Sequence, residues 1–289
     1  METPAPTVQT VLPSRQHAIG VMLVTVSALV FSSAGIFTRA ADAGAWTVIF
    51  WRGLFAAILT TVLIAWRGQL KKEFADMGIS GLAVAIVGAS ATAAFLTAFK
   101  LTAIANVAMI WASAPLFAAL LAYLAVGERL STSKIAAAIV AMGGVAVITG
   151  SSIGSFNLTG DLLALWMTLG MAICMVIYRR WKHTPAAGPA ALSSLLLLPV
   201  CIVFEDVLAV SSRDLVILAC FGLAFAVASV TMMEGVKRIP AGEAALIGTL
   251  ETPIAPVLAY LFFAEVPVAA TLAGGAIILA AVIFSQLRR

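Results

Sequence analysis

The acid and the base set deepest in apolar sequence are Glu251 and Arg52. Glu251 stands near the centre of the run 242–264, two residues before Pro253. A carboxylate at mid-bilayer costs about 2.5–3.5 kcal/mol on insertion scales, so it is expected to face protein and not lipid. There it can meet a substrate ammonium, carry a proton or lock a neighbouring helix; a hydrogen bond to a freed backbone N–H or a hydroxyl would serve structure alone. Arg52 lies about 10 Å below one end of its run, at 1.5 Å per residue. It can bind a carboxylate in a pathway, snorkel to the surface with its stem in lipid, or pair with an acid. Rings and hydroxyls recur at comparable depth: Ser90, Thr92, Phe95, Trp111, Ser113, Trp166 and Thr249. Such groups could stack an aromatic solute and hold its polar ends, so these residues are the candidate substrate pathway. Packing and lipid contact are the competing uses of each. The set holds no catalytic constellation. His17 and His183 lie at the edges of apolar runs and outside any HExxH pattern, and neither a phosphate-binding loop nor a dinucleotide fingerprint occurs. No enzyme, metal, cofactor or nucleotide drive is therefore expected. Cys174, Cys201 and Cys220 sit inside apolar runs without CxxC spacing and read as small buried hydrophobes.

The elements that carry these residues are long apolar segments. Of 289 residues, 62% are hydrophobic and 10% charged, far below the ~25% charge of a soluble domain. A helix crosses a ~30 Å hydrocarbon core with ~20 apolar residues. Ten segments qualify: 17–38, 45–66, 78–100, 104–126, 132–150, 159–179, 188–205, 213–236, 242–264 and 268–286. The expected fold is an all-α membrane protein of ten transmembrane helices, with the lipid bilayer as its main partner. Residues 1–16 are polar and carry Pro4, Pro6 and Pro13, which reads as a disordered tail. They have no basic n-region, and the run that follows is long enough to span, so they do not read as a signal peptide. Pro115, Pro253 and Pro256 fall inside the fourth and ninth spans. Each removes a backbone hydrogen bond, and in lipid the freed carbonyl must face protein or a cavity. They are expected to be bending points for gating; a static packing kink is the alternative.

The net charge of +4 and pI near 9.2 do not imply nucleic acid, because the bases sit in short loops. Of the 17 Lys and Arg, Arg39, Lys100 and Arg213 fall on one side, Arg52 lies within a span, and the remaining thirteen fall on the other. The positive-inside rule then places both termini, and the loops 67–77 and 179–187, in the cytoplasm.

The chain also matches itself. At an offset of 137, Lys100 meets Lys237, Leu121–Leu124 (LAYL) meets Leu258–Leu261 (LAYL), and Glu128 meets Glu265; at a slightly different offset Arg39 meets Arg179. The expected organisation is a tail, 1–16, and two five-helix repeats, 17–150 and 151–289. Five is odd, so the second repeat enters the membrane inverted. Inverted repeats place a site at the midplane between the halves, opened to each side in turn. Spans five and ten carry Ala136–Ala138, Gly143, Gly144, Gly274 and Gly275. Small residues permit close helix approach, so these spans are expected to be outer scaffold and the candidate contact of a homodimer. Glu128 and Glu265, each just before a following helix, are expected to cap it.

The stretch Asn106–Ser131, NVAMIWASAPLFAALLAYLAVGERLS, resembles the fourth-helix motif of the drug/metabolite transporter superfamily, EamA type. The stretch Ile239–Pro267, IPAGEAALIGTLETPIAPVLAYLFFAEVP, is similar to its second copy. One departure is visible: Pro115 is thirteen residues before Glu128, whereas Pro253 is twelve before Glu265. The resemblance implies ten helices in two EamA-like halves and secondary transport of small organic solutes across the inner or plasma membrane. Within the superfamily the chain looks most like exporters of aromatic amino acids. That implies amino-acid export with aromatic solutes favoured; efflux of cationic drugs or other metabolites is the alternative, and a non-transporting scaffold or sensor is the reading from another class.

Overall fold

The computed structural model describes residues 14–102, 104–149, 157–264, 266–267 and 269–287. Residues 1–13 of the expected tail, the repeat boundary at 150 and 151, Glu265, Arg288, Arg289 and the side chain of Lys100 lie outside the described residues. The first helix begins at Ser14, so the last residues assigned to the tail are helical.

Among the described residues the chain is all helical, with ten spans long and apolar enough to cross a membrane. Seven are single helices: α3 (Ala45–Trp66), α4 (Gly78–Leu101), α7 (Thr132–Thr149), α8 (Leu158–Arg180), α9 (Ala187–Phe204), α10 (Ser212–Val236) and α13 (Ala269–Leu287). Three are broken: the first into α1 (Ser14–Ser32) and α2 (Ala34–Ala40), the fourth into α5 (Ile104–Ala112) and α6 (Ala114–Val126), the ninth into α11 (Ala241–Gly248) and α12 (Glu251–Phe263). A short π-helical turn, Lys71–Ala75, joins α3 to α4.

The breaks have local causes. Pro115 lies in the first turn of α6, and Pro253 in that of α12. Lacking an N–H, they leave without their helical partner the carbonyls four residues back, those of Trp111 and Thr249. The Thr249 carbonyl takes the N–H of Thr252 instead, at 3.1 Å. The first span breaks at Ser33 without a proline. There Ser32 and Ser33 turn their hydroxyls onto the carbonyls of Ala28 and Val30, at 2.7 and 2.6 Å, and Gly35 follows. Such back-bonding weakens the helical ladder. Pro256 does not break its helix; α12 runs through it.

Packing follows an exchange of the two halves. Helix α4 packs on α8 as α1 packs on α10, and α4 on α9 as α3 on α10. The broken fourth span lies on α8 as the broken ninth lies on α1. Three contacts map onto themselves: α3 with α9, α6 with α11, and α7 with α13. This is an inverted pair of five-helix repeats. In the α7–α13 contact a Cβ on Gly144 would fall 2.8 Å from the carbonyl oxygen of Gly274, so these two glycines are taken up by each other, while a Cβ on Gly275 would fall 3.1 Å from Pro253 of α12. A Cβ on Gly143 would meet no atom of another element within 4 Å among the described residues.

The same exchange governs two helix caps. Glu205, at the end of α9, accepts the Thr47 N–H at the start of α3, at 2.8 Å. Glu73, in the loop after α3, accepts the N–H groups of Ala187 and Gly188 at the start of α9, at 3.1 and 2.9 Å. Each helix of this central pair thus has its orphan N–H groups met by an acid from the end of the other. Glu128 does not cap α7. Gly127, at φ +68°, ends α6 in the left-handed conformation, and Glu128 instead accepts two bonds from Arg179 at the end of α8, at 2.8 and 2.5 Å. Cys174 and Cys201 are buried as expected, but Cys220 is exposed on α10.

Candidate functional site

A cavity of about 470 Å³ lies between the two repeats, within the ~300–1,000 Å³ of small-molecule sites. Its walls come from α3 and α4 and the broken spans of both repeats, with α8, α9 and α10 completing them. Of the residues singled out from sequence, Arg52, Thr92, Phe95, Trp111, Thr249 and Glu251 line it. Glu251 opens α12, so its carboxylate sits at the positive end of a half-helix, where an acid is favoured. It accepts a hydrogen bond from the indole Nε1 of Trp111 at 3.1 Å. That bond joins the broken span of one repeat to the broken span of the other. Arg52 does not snorkel, and among the described residues it pairs with no acid: its guanidinium lies 4.1 Å from the ring centre of Phe225 and 5.4 Å from that of Phe221.

The hydroxyls are less free than the sequence suggested. Thr92 and Thr249 donate to the carbonyls of Gly88 and Leu246, at 2.9 and 2.7 Å, leaving only their lone pairs for a solute. Ser90 and Ser113 do not line the cavity; they bond back to Val87 and Ile110, at 2.9 and 2.5 Å. Trp166 is outside it as well, 42% exposed on the outer face of α8. Its neighbour Met167 begins the inner face, and Met171, Met175 and Tyr178 continue it at helical spacing. With Met232 and Met233 of α10 they make a thioether-rich wall, adaptable to irregular apolar solutes. The i, i+4, i+8 methionine stripe was the sequence signal for this face. Ser193 and Ser229, also in the wall, had no such signal. Among the described residues the buried Tyr178 hydroxyl has no hydrogen-bond partner. Pro115 and Pro253 are buried at the breaks, whereas Pro256 lines a separate shallow recess with Arg39 and Phe263.

Polar ties join helices at both ends of the bundle. At the end bearing most bases, Glu128 binds Arg179, whose Nη1 also reaches the Lys237 carbonyl at 3.2 Å. There the fully buried Glu243 of α11 meets Lys134 of α7 and His17 of α1, the latter at 3.1 Å. Ser80 and Thr184 share a 2.7 Å bond. At the other end Asp161 of α8 accepts from Thr102 at 2.7 Å and from Asn106 at 3.4 Å. Asn106 is the counterpart of Glu243 at the repeat offset of 137. The tie at the base-rich end is therefore ionic, where that at the other end is a neutral–acid network.

A model of the EamA-like transporter family matches residues 18–150 and again 158–287. No curated protein matches the chain in sequence. One solved crystal structure superposes with a TM-score of 0.79, over 93% of this chain and 97% of that one, at 20% identity; so distant a likeness speaks for the fold alone. With ten spans, two inverted repeats each matched by the family and a cavity between them, the chain belongs to the EamA-like transporter family and is a multi-pass membrane transporter of small solutes.

Proposed function

We propose that the chain is a secondary transporter that exports amino acids, aromatic ones favoured, by alternating access across the inner or plasma membrane, with both termini in the cytoplasm. The observation that carries this reading is the Trp111–Glu251 bond inside the cavity. It puts a ring for stacking and a carboxylate for an ammonium side by side at the junction of the two repeats. A solute bound there touches both broken spans, so the bend of each at its proline is coupled to occupancy. The methionine wall supports an apolar side chain of variable shape. Efflux of cationic drugs is the second reading, favoured by the same carboxylate beside the same apolar wall.

The test is flux in liposomes holding the purified protein, with phenylalanine, tryptophan, threonine and a cationic dye as solutes. Uptake and exchange of the aromatic amino acids above the rest are expected. Dye flux without amino-acid flux would put the second reading first.

A further inference from the structure

Arg52 is a cation within the bundle that no anion among the described residues neutralises. Among those residues its buried Nε has no hydrogen-bond partner. Among the described residues it makes no ion pair with any Asp or Glu, and no hydrogen bond from its other N–H groups. Its contacts are Phe225 and Phe221, over whose rings the guanidinium lies. A cation–π contact takes up no hydrogen-bond acceptor, so it leaves the N–H donors of the guanidinium without a conventional acceptor. A buried charge without a counter-ion is costly, and so is a buried donor without an acceptor. An arginine held by two rings, with its edge free at a cavity wall, is arranged to receive a planar anion in two-pronged fashion.

The rest of the cavity limits which anion. Glu251 lines the same chamber. A dianion such as a phosphate monoester would gain at Arg52 and be opposed by Glu251. A simple cation would gain at Glu251 and be opposed by Arg52. A solute with one carboxylate and one ammonium offers an opposite charge to each of these groups and adds no net charge to the chamber.

From this we infer that Arg52 is the carboxylate anchor of the transport site, and that the site takes α-amino acids in preference to amines or amides of the same side chain. The inference rests on the transport reading above and deepens it. It also separates amino acids from cationic drugs, which Glu251 and the methionine wall do not. The two rings hold the guanidinium in place, so the anchor is preorganised and its N–H edge is not spent on the protein.

The experiment is counterflow of labelled phenylalanine in proteoliposomes of the full-length protein, challenged with unlabelled phenylalanine, phenylalaninamide and phenethylamine. Phenylalanine is expected to compete at least about tenfold more strongly than either compound lacking the carboxylate. In Arg52→Gln the advantage should shrink to within about threefold, and Arg52→Lys, which keeps the charge and loses the fork, should fall between. Equal competition by phenylalanine and its amide in the wild-type protein would overturn the anchor while leaving the transporter standing. That arm needs no variant to fold. An Arg52→Gln protein that keeps the full preference would overturn it too. Absence of counterflow for every amino acid in the wild type would bring down the transport reading itself, and the anchor with it.

Discussion

Trp111 and Glu251 are joined by a single 3.1 Å hydrogen bond between residues 140 positions apart, one beside each break in the two repeats. The breaks fall at equivalent places: the repeat offset of 137 carries Ser113, between α5 and α6, onto Leu250, between α11 and α12. The pair therefore marks where two bent spans meet, and in the proposed function it serves both substrate recognition and gating.

Trp111→Ala should weaken transport of phenylalanine and tryptophan more than that of threonine. Ring stacking contributes ~0.5–1.5 kcal/mol, or roughly two- to twelvefold in selectivity. Ratios of initial rates in proteoliposomes measure it. An equal loss for every solute would mean that Trp111 holds the fold and does not read the ring.

Glu251 is the acid at mid-span on the cavity wall, and so the leading proton carrier if flux is driven by a pH gradient. Glu251→Gln keeps an acceptor for the Trp111 indole and removes the titratable group. Stimulation by an imposed gradient should then disappear, and whatever exchange survives loss of the ammonium contact should be independent of the gradient. A wild type indifferent to the gradient would make the protein a facilitator and leave Glu251 a binding or structural role.

The cap on α3 can be tested from both partners. A Cβ on Gly44 would fall 1.5 Å from Glu205 Oε1, so Gly44→Ala must displace the carboxylate. Loss of such a cap costs about 0.5–2 kcal/mol. Thermal unfolding in detergent should show Gly44→Ala and Glu205→Ala each lowering Tm, with the double variant little worse than Glu205→Ala alone. Additive losses would mean that the glycine is needed for something other than Glu205.

Glu128 and Arg179 are both largely buried, 15% and 12% exposed. Glu128→Ala leaves the arginine without its counter-charge, a change that costs up to ~3–5 kcal/mol at a buried site. A marked fall in Tm is expected, with partial recovery when Arg179→Met is added. No recovery would show that Arg179 stabilises chiefly through the Lys237 carbonyl.

Orientation has its own test. Cysteines placed in the loops 67–77 and 179–187 should resist an impermeant thiol reagent applied to intact cells. Their labelling from outside would reverse the topology.

Much of this molecule follows from the order of its residues alone. Ten spans, their inverted repeat, the breaks at Pro115 and Pro253 and the depth of Glu251 all follow from local causes: apolar length, a missing N–H, the cost of a charge in hydrocarbon. What sequence does not determine is which way each helix faces. In a soluble helix, polar residues mark the solvent side; here both sides are apolar, and lipid and protein interior select nearly the same side chains. Trp166 and Met167 are neighbours of equal apolarity, yet one faces outward and the other lines the cavity. The Ser33 break lacked a proline to announce it, and Glu128 met a distant arginine in place of the nearby helix start. The Trp111–Glu251 bond and the ring-held Arg52 join residues far apart in the chain. Only the packing of one repeat against its inverted copy brings them to a common wall.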